Sequence, residues 1–164
     1  MQSIQTTSGR KFTKGGRTGP SGKRAIVSLV ERGGDVRSFH VAVATQSAVE
    51  EIIRKNVSRE ARLHTDESKL YFNMPSMVAK HERVSHRKGE YARGDVHVNS
   101  AEGFFGVFKR GMRGVYQHCA EKNLHRYLAE FDFRYNTRKI TDSERAVLAV
   151  RSGDGKRLTY RQAH

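Results

Sequence analysis

Asp66 and Glu102 are the acids of this sequence best placed for chemistry. Asp66 closes ARLHT (Ala61 to Thr65), a short run bounded by Ser58 and the acidic pair Asp66-Glu67 that is expected to form a strand. Glu102 falls in the first turn of a helix expected to open at Asn99. Although 36 positions apart in the chain, a strand end and a helix start can converge over the edge of a sheet. Oxygen ligands gathered there suit hard divalent cations such as Mg²⁺. Two such ions about 3.5–4 Å apart clamp the attacking and leaving oxygens of an in-line phosphoryl transfer. Each acid also has a purely structural use. Asp66 can cap the turn that begins at Asp66-Glu67-Ser68, and Glu102, three residues after Asn99, can complete a capping box by accepting from the Asn99 amide. Spacing alone leaves both uses open.

Other constellations carry less. Gly22-Lys23 lacks the surroundings of a phosphate-binding loop: Arg17 stands where the first glycine is needed, Arg24 where Ser or Thr is needed, and a strand follows instead of a helix. His81, His86 and His97 lack the helical spacing and flanking acid of a zinc protease, and are expected to face phosphate or solvent. His118, Cys119 and His125 name no fourth metal ligand, so a packed cysteine and two surface histidines are expected. Arg93-Gly94-Asp95 copies an adhesion tripeptide that has no meaning in a cytosolic protein.

Charge narrows the partner. Among 164 residues, 31 Lys and Arg face 17 Asp and Glu, a formal charge of +14. Such a surface attracts phosphate polyanions. The basic residues cluster in an amino-terminal arm (Arg10 to Arg24, with Arg17, Lys23 and Arg24), in a connector (Lys80, Arg83, Arg87, Lys88, Arg93), and on the expected long helix (Lys109, Arg110, Arg113). We read them as phosphate contacts. No stretch approaches the roughly 18 apolar residues of a membrane span, and neither a signal peptide nor a lipidation motif is evident. The expected partner is therefore nucleic acid, not a membrane, and the expected compartment is the cytoplasm. A lone cysteine excludes an internal disulfide and thiolate zinc ribbons. The first 30 residues contain no acid at all.

The elements that must position these groups follow from periodicity. AIVSLV (Ala25 to Val30) and Val36 to Ala44 predict a hairpin, with Phe39, Val41 and Val43 on one face. Ser47 and Glu50 predict a capped helix to about Val57. A further strand is expected around Glu82 to Ser85, a helix with Phe104, Phe105, Phe108 and Met112 on its buried stripe and a kink at Gly111 or Gly114, and another helix from about Glu121 to Tyr135. The order hairpin, helix, strand, connector, helices predicts a mixed α/β layer fold.

Three stretches then become specific: HTDESKLY (64–71), VSHRKGEYARGDVHVNSAEGFFGVFKRGMRGVYQHC (84–119) and EKNLHRYLAEFDFRYNTRK (121–139). With KRAIVSLVERGGDVRSFHV (23–41), they resemble bacterial insertion-sequence transposases of the ISXO type, relatives of the Merlin elements, over roughly residues 20–140. The resemblance implies an RNase H-like domain whose three acids hold two Mg²⁺ or Mn²⁺ ions for DNA cleavage and strand transfer. It implies DNA, as element ends and target, as the partner, and homo-oligomers as the working form. The second acid of the family matches Asp66 in its TDE word; the third matches the Asn99-x-x-Glu102 segment, Glu102 preferred over Asn99. The family's first aspartate, in a D-E-T-Y-like word on the first strand, has no counterpart here. The expectation is an RNase H-like mixed sheet flanked by helices that lacks its first strand. Its parts are a basic flexible arm (1–24), an incomplete catalytic domain (25–139) and a loose polar tail (140–164). Such a chain is impaired in transposition; the alternative is a non-catalytic DNA-binding remnant or a regulator of transposition.

Overall fold

The computed structural model describes residues 3–9 (as backbone), 25–85, 92–117 (Arg93 as backbone) and 119–155. A five-stranded mixed sheet runs in the order β3-β2-β1-β4-β5, built from β1 (Ser3–Gly9), β2 (Ala25–Glu31), β3 (Val36–Val41), β4 (Arg62–Thr65) and β5 (Lys80–Arg83). β1 is antiparallel to β2 and parallel to β4, while β4 is parallel to β5. The helix α1 (Gln46–Asn56) crosses from β3 to β4, and a two-stranded hairpin, β6 (Ala92–Arg93) and β7 (Val96–His97), precedes α2 (Asn99–Gly114). Then follow α3 (Leu124–Asn136) and α4 (Asp142–Gly153).

Alternation along β2 divides the core. Ile26 and Val30 pack with Val36 and with Phe104, Phe105, Phe108, Met112, Leu124, Leu128 and Phe131 of α2 and α3. Val27 and Leu29 face the other way, onto Val49 and Ile53 of α1, with Leu63, Tyr71 and Met74. Both layers follow from the period of 2 in the strands and 3.6 in the helices. Gly111 lets α2 and α3 approach: a Cβ added there would run into the Phe131 ring. The outer edge of β3 is closed by α3. Asn136 bonds both the amide and the carbonyl of Val36 (2.7 and 3.0 Å), and Asp132 accepts from the Ser38 amide and hydroxyl (both 2.7 Å). An exposed strand edge is a pairing hazard; here two side chains one helical turn apart occupy it.

Several expectations are corrected. The first strand is present: β1 occupies 3–9, inside the span expected to be a flexible arm, so the sheet begins before residue 25. Its sequence SIQTTSG shows no strand pattern because a central strand between β2 and β4 draws its order from backbone bonds on both sides. The rest of the arm, residues 10–24, lies outside the described residues. β3 ends at Val41, and Val43 is exposed. α1 is capped by Thr45, whose hydroxyl accepts from the Ala48 amide, rather than by Ser47. The tail expected to be loose carries α4, started by a complete capping box between Thr141 and Glu144.

Candidate active site

Asp66 follows directly on β4, half-buried, and one of its carboxylate oxygens accepts from the Ser68 amide at 3.0 Å. The turn-capping use of Asp66 is therefore realised with one oxygen. The capping box at Asn99 is not. α2 begins at Asn99 itself, with Val98 as a cap that supplies no side-chain bond, and the Glu102 amide donates to the Val98 carbonyl at 3.0 Å. Asn99 and Glu102 are both exposed in the first turn of α2.

Backbone and packing tie the two acids to one end of the sheet. The Val84 amide donates to the Thr65 carbonyl, the residue before Asp66, at 3.1 Å. Val84 in turn packs in a buried trio with Val96 and Val98, the cap of α2. Glu102 is thus one turn beyond a valine locked to the carboxyl end of β4. Glu67, beside Asp66, is bonded by the Ser85 hydroxyl.

The hairpin that delivers Val96 and Val98 is held by ions. Arg62 of β4 donates to the carboxylates of both Glu82 and Asp95, with a second Asp95 contact at 3.0 Å. Arg32 adds a bond to the Asp95 carbonyl. Asp95 stands at the β6-β7 turn, next to Gly94, whose φ of +62° is the left-handed conformation that glycine adopts without strain. The tripeptide dismissed as an adhesion word thus supplies the turn and the clamp. The Arg62 guanidinium, by hydrogen bonding, holds both Glu82 and Asp95 below the usual carboxylate range.

Between these ions lies His64, fully buried. Arg32 can only donate, so the 3.3 Å contact makes His64 Nδ1 an acceptor and leaves the ring proton on Nε2, toward Glu82. Burial, then the nearby Arg32 and Arg62 charges, lowers its pKa. On the opposite side of the strand pair, His81 bonds the Thr65 hydroxyl at 2.9 Å, and burial with the Arg83 charge pushes it down to about 4. It is not a phosphate-facing histidine. His86 and His118 lie outside the described residues.

β1 decides what the acids can hold. Its parallel register sets Gln5 opposite His64 and Thr6 opposite Thr65, so Thr7 comes level with Asp66. No position of Ser3–Gly9 is an acid. Among the described residues no three His, Cys, Asp or Glu come together in a metal-binding group. A pair of divalent ions needs more oxygen charge than Asp66 and Glu102 provide. The described residues do not fit the two-ion centre.

The expected phosphate contacts separate into two groups. Glu102, Gly106, Lys109 and Arg113 recur at helical intervals and form one stripe along α2, with Arg110 beside it. Arg110 and Arg113 are exposed; Lys109 Nζ lies 6.0 Å from the Phe105 ring, and nothing stands within 4 Å of where a Gly106 side chain would begin. Arg83 is exposed at the end of β5. Arg17, Lys23, Arg24, Arg87 and Lys88, and the Arg93 side chain, lie outside the described residues. The Arg32, Arg62, Glu82 and Asp95 clamp joins four separate segments, and no spacing in the sequence announces it.

A family model described as an ISXO2-like transposase domain matches residues 4–136. In structure the chain is similar to the catalytic core domain of BIV integrase, with a TM-score of 0.57 and 12% identity over 94% of this chain and 97% of that one. At that identity the likeness speaks for the fold, which is RNase H-like. No curated protein matched the sequence. Among the described residues no helix is long and apolar enough to cross a membrane.

Proposed function

The chain belongs to the ISXO2-like transposase domain family, and from that premise we propose that it engages DNA in transposition while being impaired in cutting it. The observation that carries this reading is the register of β1: the central strand beside Asp66 is acid-free from Ser3 to Gly9. In-line phosphoryl transfer by this family relies on Mg²⁺ or Mn²⁺ held between acids, and losing one of the acids unbalances and misplaces the ions. DNA engagement does not need that acid. The stripe of α2 runs from the exposed Glu102 past the half-buried Gly106 and Lys109 to the exposed Arg113, so a phosphate backbone following it is met by cations and by a glycine with nothing crowding it. Asp66, Glu102 and Asn99 mark the end of that track where the scissile phosphate belongs.

The acid-free strand also favours a second reading, a non-catalytic chain that occupies DNA and regulates transposition. Both are tested by titrating a labelled duplex with the chain at several salt concentrations, then incubating element-end DNA with Mg²⁺ or Mn²⁺. Affinity is expected to fall steeply with salt, and alanine at Arg110 or Arg113 to weaken binding and flatten the salt dependence by about one unit of slope each. Binding indifferent to salt contradicts both readings. Robust cleavage abolished by Asp66→Ala contradicts impairment, and weak cleavage lost in Asp66→Asn separates an impaired enzyme from a purely binding chain.

A further inference from the structure

α4 has no buried residue, unlike α1, α2 and α3. Yet its middle is Ala146-Val147-Leu148-Ala149-Val150, with Val147, Leu148 and Val150 exposed at 50%, 42% and 77%. A helix of 12 residues is marginal in water on its own. The Thr141–Glu144 capping box and the bonds from Arg145 to Thr137 and Asp142 fasten only its first turn. Asp142, Arg145, Ala146 and Ala149 share a cleft with Glu130, Phe133 and Arg134 of α3.

The opposite side of α4 presents Glu144, Val147, Leu148 and Arg151, spaced i, i+3, i+4, i+7 as one stripe. This stripe is its own complement. Reversing the helix about the point between Val147 and Leu148 lays Val147 on Leu148 and Glu144 on Arg151. Charge favours the same occupant. From Asp142 to Asp154 there are three acids and two arginines, a net −1 in a chain of +14. A polyanion finds no attraction there, whereas a second copy escapes the repulsion it would meet elsewhere.

We propose that α4 pairs antiparallel with α4 of a second copy of this chain across a two-fold axis, Val147 and Leu148 packing at the centre and Glu144 bonding Arg151 of the partner subunit at each end. Such an isologous contact closes at two copies. It does not depend on how the carboxylate end of the sheet is read.

The test is sedimentation equilibrium of the full chain without DNA. The wild type is expected to dimerise reversibly, and Leu148→Glu to be monomeric with unchanged far-UV circular dichroism. Glu144→Arg and Arg151→Glu should each weaken dimerisation by about tenfold, as paired rim charges become repulsive; Arg151→Glu does so with the capping box intact. Mixed in equal amounts, these two variants should restore dimerisation, because each then meets the opposite charge. A wild type that stays monomeric, a dimer indifferent to Leu148→Glu, or a mixture no tighter than either variant alone would overturn the proposal.

Discussion

One face of the sheet is covered in two ways. Over β2 and β3 it meets an aromatic layer: Phe104 lies edge-on to Phe105 and Tyr135 (5.8 and 5.6 Å between centroids), and Phe108 to Phe131 (5.0 Å). Over β4 and β5 the same face carries Arg62, His64 and Glu82, and is covered by the β6-β7 hairpin through Asp95. The apolar half draws its stability from area removed from water, which needs no particular partner. The polar half draws little net stability from burial, since each charge loses water before it gains a partner. What the polar half gains is definition, because directional bonds fix where the hairpin, Val98 and hence Glu102 stand.

Breaking each half should therefore fail differently. Phe108→Ala removes a ring only 2% exposed and should cost about 3–5 kcal/mol in urea unfolding. Arg62→Met keeps the stem but abandons Glu82 and Asp95; it should lower the urea midpoint by less than Phe108→Ala does, and proteolysis should show the 92–97 hairpin opening before the sheet unfolds. Within α2 the comparison sharpens to two glycines. Gly111→Ala drives a methyl group into Phe131 and should destabilise by about 1–2 kcal/mol. Gly106→Ala meets nothing and should stabilise by about 0.5–1 kcal/mol through helix propensity.

The smallest effect is one of pH. His64 and His81 titrate below the ordinary histidine value of 6.5 in the folded chain, His81 at about 4. The unfolded chain binds their protons first, so stability is full above 6.5 and is lost as pH falls from 6.5 toward 4. His81→Gln should flatten that part of a thermal-melting profile against pH, while leaving the loss at lower pH.

The same contrast governs what was legible in the sequence. The apolar half was readable residue by residue, since Phe104, Phe105, Phe108 and Met112 announce a helix face whatever lies opposite. Asp66 at a strand end and Glu102 in a first helical turn were legible for a related reason, their local contexts being strong. The ionic clamp was not, because Arg32, Arg62, Glu82 and Asp95 come from four segments and no period links them. β1 was hidden for the opposite cause: SIQTTSG has no pattern of its own, and its place comes from strands formed 20 and 60 residues later. The capping-box signature at Asn99 misled, as the buried Val98 took the cap and left Glu102 outside it.

The central claim is that Asp66 and Glu102 share one end of the sheet and lack a third acid on β1. Metal-dependent cleavage of element-end DNA by the wild type, by Gln5→Asp and by Thr7→Asp tests it most directly, each repeated with Asp66→Ala and Glu102→Ala. The account predicts near-background cutting by the wild type and a gain in at least one β1 variant that disappears when Asp66 or Glu102 is removed. Strong wild-type cleavage that requires Asp66, or a gain indifferent to both acids, would contradict it.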